Sequence, residues 1–443
     1  KIILKGKIMK KTLLISVVAS TMIMAGGDIA PVEPAVVVPA PVAVAAPAPV
    51  VACSDGWTYK GQAVAYYQTS SNSRNGAPGL QQHDPMALEN EFDDANSAAT
   101  AGLSLKAENK NLFYGVGVGA KLVGLGTLGL ENDVVNGVMQ SADGKLNGGA
   151  LTELYLTYGI DNTNLKVGRQ ELPQALSPFA FTETWNVFAN TFAAALLVNT
   201  DLPQTTLVGA YVTRANNHQN LADFNELNDS DGVYMLTAQN KSIDGLTLTG
   251  TGYFVNGMGA ADDVKVGWGD AAYALPVAGY SVNLGLQGGI VNSALVNDTS
   301  AYGLKAGTKI GMFDAAAAYS SVNDGSVPIH NLGTGIKTPL YTQMILNQNF
   351  IKQDSDTTML SLGVSALGGR FGLDGEMSNV GIGNTSTGET DYKEVDLSYK
   401  TKVGCVDLFA AYVWQDIDYN AVTNTGRIDY TNDTVRVWGR YNF

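Results

Sequence analysis

The last stretch of the chain, Asp433 to Phe443, reads DTVRVWGRYNF and alternates without a break. Val435, Val437, Gly439, Tyr441 and Phe443 fall on one side; Thr434, Arg436, Trp438, Arg440 and Asn442 fall on the other. Successive residues of a strand point to opposite faces, so this segment predicts a strand with one apolar face and one polar, basic face. The sheet it belongs to must have a use for the apolar side, in a core or against lipid. A soluble antiparallel sheet gives the same pattern, so the rest of the chain has to decide.

From Gly56 onward the sequence breaks into eighteen alternating segments, each roughly the length a tilted strand needs to cross a bilayer, about ten residues. They run over 57–69, 97–108, 111–124, 149–160, 164–171, 191–199, 205–214, 231–241, 245–256, 266–275, 279–291, 299–308, 310–322, 356–367, 369–380, 391–402, 405–416 and 433–443. The connections alternate too. Short polar turns such as Asn109-Lys110 and 161–163 follow the even segments, and long loops such as 70–96, 125–148, 215–230 and 323–355 follow most odd ones. Short turns on one side and long loops on the other describe an all-β transmembrane antiparallel barrel with periplasmic turns and extracellular loops. The even count returns the chain to the side it started from. A large β-sandwich or β-helix explains neither the aromatic carboxyl terminus nor the asymmetry of the loops. A barrel of about eighteen strands is too wide for its own side chains to fill, so it holds water.

Composition agrees. The chain has 443 residues, 50 Gly and 20 Tyr, only 15% charged residues, and a mean hydropathy near zero. Strands that alternate lipid-facing and water-facing residues average to such a value. After the amino terminus no apolar run reaches the ~18 residues of a membrane helix. The formal charge of −14 argues against nucleic acid as partner and favours cations. Two cysteines and three histidines leave little material for a metal cluster or His-based catalysis. His83, His218 and His330 all fall in loops, so no enzyme is expected.

Met9-Lys10-Lys11, an apolar stretch from Leu13 to Met24 and then Ala25-Gly26 form a secretory signal, residues 1–25, with Met9 as the expected start. Residues 26–55 are rich in Pro, Ala and Val; repeated Pro forbids a helix or central strand, and the segment reads as an extended periplasmic linker. The barrel itself occupies 56–443.

The connection after the fifth segment carries Pro173, Pro178, Phe179, Phe181, Trp185 and Phe188. A solvated loop seldom holds so many apolar rings; the lumen is the place to bury them, and a loop inside the pore narrows it. The alternative is a loop packed on a neighbouring subunit. Simple alternation puts Arg169 beside Leu165 and Val167 on the lipid side, at a cost of roughly 2–4 kcal/mol near mid-bilayer. A bulge at Gly168 would turn it inward, where Arg169, Glu171 and Glu183 form a pore constriction. Lys60, Lys121, Arg436 and Arg440 face inward and are expected on the pore wall, as a field-generating strip or as ordinary solvated residues. Asp223, Asn225, Asp229 and Asp231 concentrate oxygen ligands in one outer loop, a weak calcium candidate without EF-hand spacing, and no other metal is expected. Cys53 and Cys405 both fall at the periplasmic rim, about 10 Å apart by strand spacing. A disulfide between them requires the lead-in to bend across.

The terminal Phe443 resembles the closing residue of bacterial outer-membrane barrels. The strand end KVGRQ around Gly168, Thr191-Phe192 and the Asp244-Gly245-Leu246-Thr247-Leu248 turn resemble OprD-like porins and the campylobacter-type major outer-membrane porins, in strand order over about 56–443. The resemblance implies an eighteen-stranded, usually trimeric outer-membrane porin passing small solutes, some members preferring basic amino acids or other carboxylates. The sequence as a whole reads as a water-filled, weakly cation-selective passive diffusion channel with outer-membrane lipid, ions and small hydrophilic solutes as its partners. The competing reading is an adhesin or envelope scaffold whose outer loops do the work.

Overall fold

The computed structural model describes residues 56–75, 92–131, 135–143, 147–228, 231–257, 262–381, 389–419 and 428–443. The expected signal and linker, Cys53 and Asp229 lie outside the described residues. Strands β1 (Trp57–Asn75), β2 (Ser97–Phe113), β3 (Val116–Gly126), β4 (Gly148–Ile160), β5 (Thr163–Gln170), β6 (Phe192–Asn199) and β7 (Thr205–Asn216) come first. After the short β8 (Phe224–Glu226) come β9 (Val233–Ile243), β10 (Leu246–Val255), β11 (Val264–Val277), β12 (Tyr280–Ser293), β13 (Thr299–Ile310) and β14 (Phe313–Val322). The last are β15 (Ser355–Ala366), β16 (Gly369–Val380), β17 (Thr390–Val403), β18 (Val406–Tyr419) and β19 (Ile428–Asn442). Apart from β8, each strand pairs antiparallel with its chain neighbours, and β1 pairs with both β2 and β19. The result is a closed barrel of eighteen strands, with β8 as a three-residue ribbon on the end of β7.

Closure satisfies the backbone of every barrel strand, which a sheet in hydrocarbon requires because no water is there to cap an open edge. The alternation then sorts side chains. Leu122, Leu154, Leu156, Leu197, Leu236, Leu286, Leu360 and Leu397 are exposed on the outer face. In the last strand Val437, Tyr441 and Phe443 are exposed while Thr434, Arg436 and Trp438 are buried inward. Among the described residues no helix is long and apolar enough to cross a membrane.

The short turns sit together at the end of the barrel where β1 begins and β19 ends. Several are two-residue hairpins with both residues in the left-handed region, such as Tyr114-Gly115 (φ 46° and 85°) and Ala278-Gly279 (φ 50° and 85°). That turn matches the twist of the flanking strands. Several boundaries differ from the sequence expectation: β1 runs on to Asn75 and β19 begins at Ile428. The β2–β3 turn lies at Tyr114-Gly115, and Asn109-Lys110 stays in β2 beside a register shift between Asn109 and Phe113. Asn109 and Asn111 make their turn-like bonds locally, each side-chain oxygen accepting a backbone N–H, from Asn111 and Gly115 respectively. The asparagines mark a bulge there, and the glycine marks the turn.

Two long loops enter the interior. Residues 171–191 fold inward, burying Leu172, Phe179, Phe181, Trp185 and Phe188. The long loop 323–354 does the same with Ile329, Leu340, Met344, Ile345 and Ile351. Apolar surface therefore appears twice, outside against lipid and inside between loops and wall.

The last residue closes the ring. Phe443 N donates to Gly61 O at 2.9 Å and Gly61 N donates back to Phe443 O at 2.7 Å. A side chain at Gly61 would start 2.1 Å from the Phe443 ring. Gly61→Val is expected to destabilise the closed barrel by about 1–3 kcal/mol through overpacking. Heat-modifiability in gel electrophoresis checks this: the folded band should melt at lower temperature than that of the unsubstituted protein, and an unchanged melting temperature counts against the contact.

Candidate functional site: the loop-lined lumen

The inner wall of β1–β5 carries a row of lysines. Register places Lys60 opposite Lys106, Lys106 opposite Lys121, and Lys121 opposite Glu153. Cross-strand partners share a face, so all four point the same way, into the lumen. Lys106 Nζ lies 2.7 Å from Glu153 Oε2, and Lys121 Nζ lies 3.1 Å from Glu171 Oε1. Lys166, one strand on, holds its ammonium 3.9 Å from the centre of the Tyr155 ring. Glu153 is 1% exposed whereas the side chains of Lys106 and Lys121 keep 25% and 16%. The acid is buried between the two lysines, and the lysines reach the water.

Two loops narrow this space, and opposite charges hold them down. Arg440 of β19 donates from Nη1 to Val187 O at 2.9 Å, and from Nη2 to Asn186 O at 2.6 Å and Thr184 O at 3.2 Å. Its neighbour on that face, Arg436, is fully buried; it donates from Nε and Nη2 to Gln68 Oε1, with the Trp185 ring 5.8 Å away. Loop 323–354 rests instead on carboxylates of β16 and β17. Leu346 N donates to Glu394 at 2.9 Å, Ile345 N to Asp396 at 3.4 Å, and the Asn347 amide to Glu376.

The two loops are tied to each other through Glu183. One of its oxygens accepts from the Asn331 amide at 2.8 Å, from the Thr334 hydroxyl and from Lys337 N at 3.2 Å. The other accepts from Trp185 Nε1 at 2.8 Å. Asn331 adds a reciprocal pair with the backbone of Phe181, and Leu332 N donates to Phe179 O. The wall joins in where Phe179 N donates to the Tyr253 hydroxyl at 3.0 Å, with Tyr253 and Trp268 set edge-on to the Phe179 ring.

The expected site residues therefore separate. Glu171 meets Lys121 on the wall. Glu183, only 4% exposed, clamps loop to loop and does not face open water. Arg436 and Arg440 lie on the inner face as expected, beneath loop 171–191. Lys60 is exposed in the lysine row. Arg169 does not follow the expectation of an inward turn. Pairing runs without a break through Gly168, and Arg169 sits opposite Leu154, which is 49% exposed on the outer face. Its guanidinium donates to Leu151 O at 3.1 Å and lies 4.0 Å from the Phe224 ring of β8. The register shifts fall in the neighbouring strands, at Lys121/Leu122 opposite β4 and at Ala193/Ala194 opposite β7. The extra ribbon gives the arginine a partner near the rim, which alternation alone could not foresee. Sequence reasoning also missed the inward course of loop 323–354; its apolar residues are spread among Gly, Asn and Thr, without the dense rings of the other loop.

Cys405 is exposed in the β17–β18 turn and bonds to no other cysteine among the described residues. Of the outer-loop oxygen cluster, Asn225 lies in β8 and Asp231 is exposed. Among the described residues no three Asp, Glu, His or Cys side chains are grouped to hold a metal ion.

The fold matches solved barrels. Pseudomonas aeruginosa OccK8 (OprE) superposes with a TM-score of 0.64 at 14% identity, over 88% of this chain and 98% of that one. Acinetobacter baumannii OccAB2 gives 0.66 at 14%, over 88% and 98%. Pseudomonas aeruginosa OpdK with vanillate gives 0.66 at 13%, over 86% and 99%. No protein-family model and no curated relative matches the chain. The chain thus shares the fold of these solved proteins, a closed eighteen-stranded barrel, and its apolar outer band fits a lipid bilayer.

Two outcomes follow from the clamp and its surroundings. Glu183→Ala leaves buried donors on Trp185 and Asn331 without their acceptor, a loss on the order of 3 kcal/mol in loop anchoring. Single-channel recordings of that variant should show larger and noisier current steps, and unchanged steps contradict the clamp. His218, packed 5.6 Å from Trp185, is pushed down to about 4 by burial. Its folded value lies below the unfolded one, so its contribution is fully present above about pH 6.5 and is lost as the pH falls towards 4. Thermal unfolding should therefore weaken over that window by on the order of 2 kcal/mol, and His218→Gln should remove that part of the pH dependence.

Proposed function

We propose that this chain is a passive diffusion porin of the OprD-like kind, assembled as a homotrimer, passing ions and small hydrophilic solutes through a lumen narrowed by loops 171–191 and 323–354. The observation that carries this reading is the row of partly exposed lysines on the inner wall of a closed barrel. A charged row of this kind, with the Lys106 and Lys121 side chains still 25% and 16% exposed, is stable only against water. The network around Glu183 supports a fixed constriction rather than a free loop.

The overall acidity of the chain favours cations, and weak cation preference is the expectation from composition. The lumen supports the opposite preference. Glu153, Glu183, Glu376, Glu394, Asp374 and Asp396 on the inner side are at most 4% exposed; Glu171, 42% exposed, is paired with Lys121, while Lys106 and Lys60 also reach solvent. Exposed charge contributes most to the potential a passing ion meets. Anionic solutes such as small carboxylates are therefore the favoured class. A barrel of the same fold solved with vanillate, an aromatic carboxylate, is consistent with that class.

Reversal potential across a planar bilayer under a KCl gradient is the test. Chloride preference is expected, and Lys106→Gln with Lys121→Gln should lower it by about twofold per charge removed. Potassium preference would return the selectivity to the acidic composition. Absence of any conductance from folded protein would favour the adhesin or scaffold reading.

A further inference from the structure

Half-way round the ring from the lysine row, β11 places one carboxylate on the inner wall. Asp270 pairs with Gln287 of β12 and Thr249 of β10, on the face that carries the buried Trp268 and Thr251. It is partly exposed, unlike the carboxylates under loop 323–354. Left open, it would pull cations to the wall opposite the lysines.

It is not left open. Tyr341 of loop 323–354 donates its hydroxyl to Asp270 Oδ2 at 2.5 Å. Burial first, and then the charge of Asp270, push the phenol well above its ordinary value, so it remains a donor. The ring lies over Gly285 of β12, where a Cβ would stand 2.9 Å from its edge, and Lys305 of β13 places its ammonium 5.8 Å from the ring centre. Flanking residues fix the position. Leu340 is 3% exposed and Thr342 is fully buried, its hydroxyl 2.6 Å from Ser320 on β14. The Asn347 amide donates to Thr342 O at 2.7 Å. The loop therefore delivers one partly exposed tyrosine to one partly exposed acid.

We infer that Tyr341 is a selectivity-determining residue of the pore: by hydrogen-bonding and overlying Asp270 it masks the carboxylate facing the lysine row, and so keeps the lumen biased towards anions. This rests on the porin reading and assigns its ion preference to a specific loop residue. The glycine at 285 is part of the device, because any side chain there would lift the ring.

Tyr341→Phe keeps the ring and removes the hydroxyl. Reversal potentials of the purified full-length channel under a KCl gradient should shift towards potassium by up to about twofold in permeability ratio, because the Asp270 carboxylate, stripped of the tyrosine donor, presents more of its charge to the lumen. Asp270→Asn alone should give no potassium shift, and it should abolish the shift in the double variant. Gly285→Ala, which displaces the ring from beneath, should reproduce the Tyr341→Phe shift and serves where that variant folds poorly by heat-modifiability. A Tyr341→Phe reversal potential equal to that of the unsubstituted channel, or a shift that survives Asp270→Asn, overturns the inference while leaving the porin intact. A silent unsubstituted protein sinks the porin reading instead.

Discussion

The structure depends on how two loops are pinned inside a ring that cannot adjust to them. A closed barrel fixes the position of every inward side chain through its register, and the loops have to find partners on that fixed wall. The wall offers opposite charges at different places. Arg440 of β19 takes the carbonyl groups of loop 171–191, and carboxylates of β16 and β17 take amide groups of loop 323–354. Each loop thus presents the pole of its backbone that the local wall requires. Hydrogen bonds to charged groups are stronger than neutral ones, so a few suffice to hold long irregular segments against their conformational entropy. Glu183 then makes the two loops one body.

This arrangement also explains why so many acids cluster inside. Asp374 lies opposite Asp396 and Glu376 opposite Glu394 in the register, which by itself is an unfavourable pairing of like charges. Donors from the loop offset that repulsion at Glu376, Glu394 and Asp396 and remove those acids from water. The acids beneath loop 323–354 are therefore not the charges a solute meets. Formal charge is a property of the whole chain, whereas selectivity belongs to the few groups that stay wet.

Much of the fold was legible in the sequence because a lipid-facing sheet leaves a period-two record in every strand. Each of the eighteen barrel strands overlaps one of the alternating segments, and the faces of the last strand sort as DTVRVWGRYNF predicts. The inward course of loop 171–191 was legible too, from Phe179, Phe181, Trp185 and Phe188. What pattern could not supply was contact across sequence. Nothing near Glu183 indicates Asn331 or Thr334, which lie in another loop, so an acid read as pore-lining is a buried clamp. Arg169 went astray for a related reason. Its partner Phe224 belongs to a ribbon too short to leave any periodicity.

Loop 323–354 teaches the complementary lesson. Its anchors are Thr342, Asn347 and two backbone amides, residue types that compose any solvated loop. An inward loop can be recognised from sequence when apolar burial drives it, since rings in a connection are unusual. A loop driven inward by hydrogen bonds to a charged wall has no such mark, because the information sits half in the loop and half in strands β16 and β17. Two loops with the same destination therefore differ in how visible they are, and the less visible one carries Tyr341 to the wall facing the lysines.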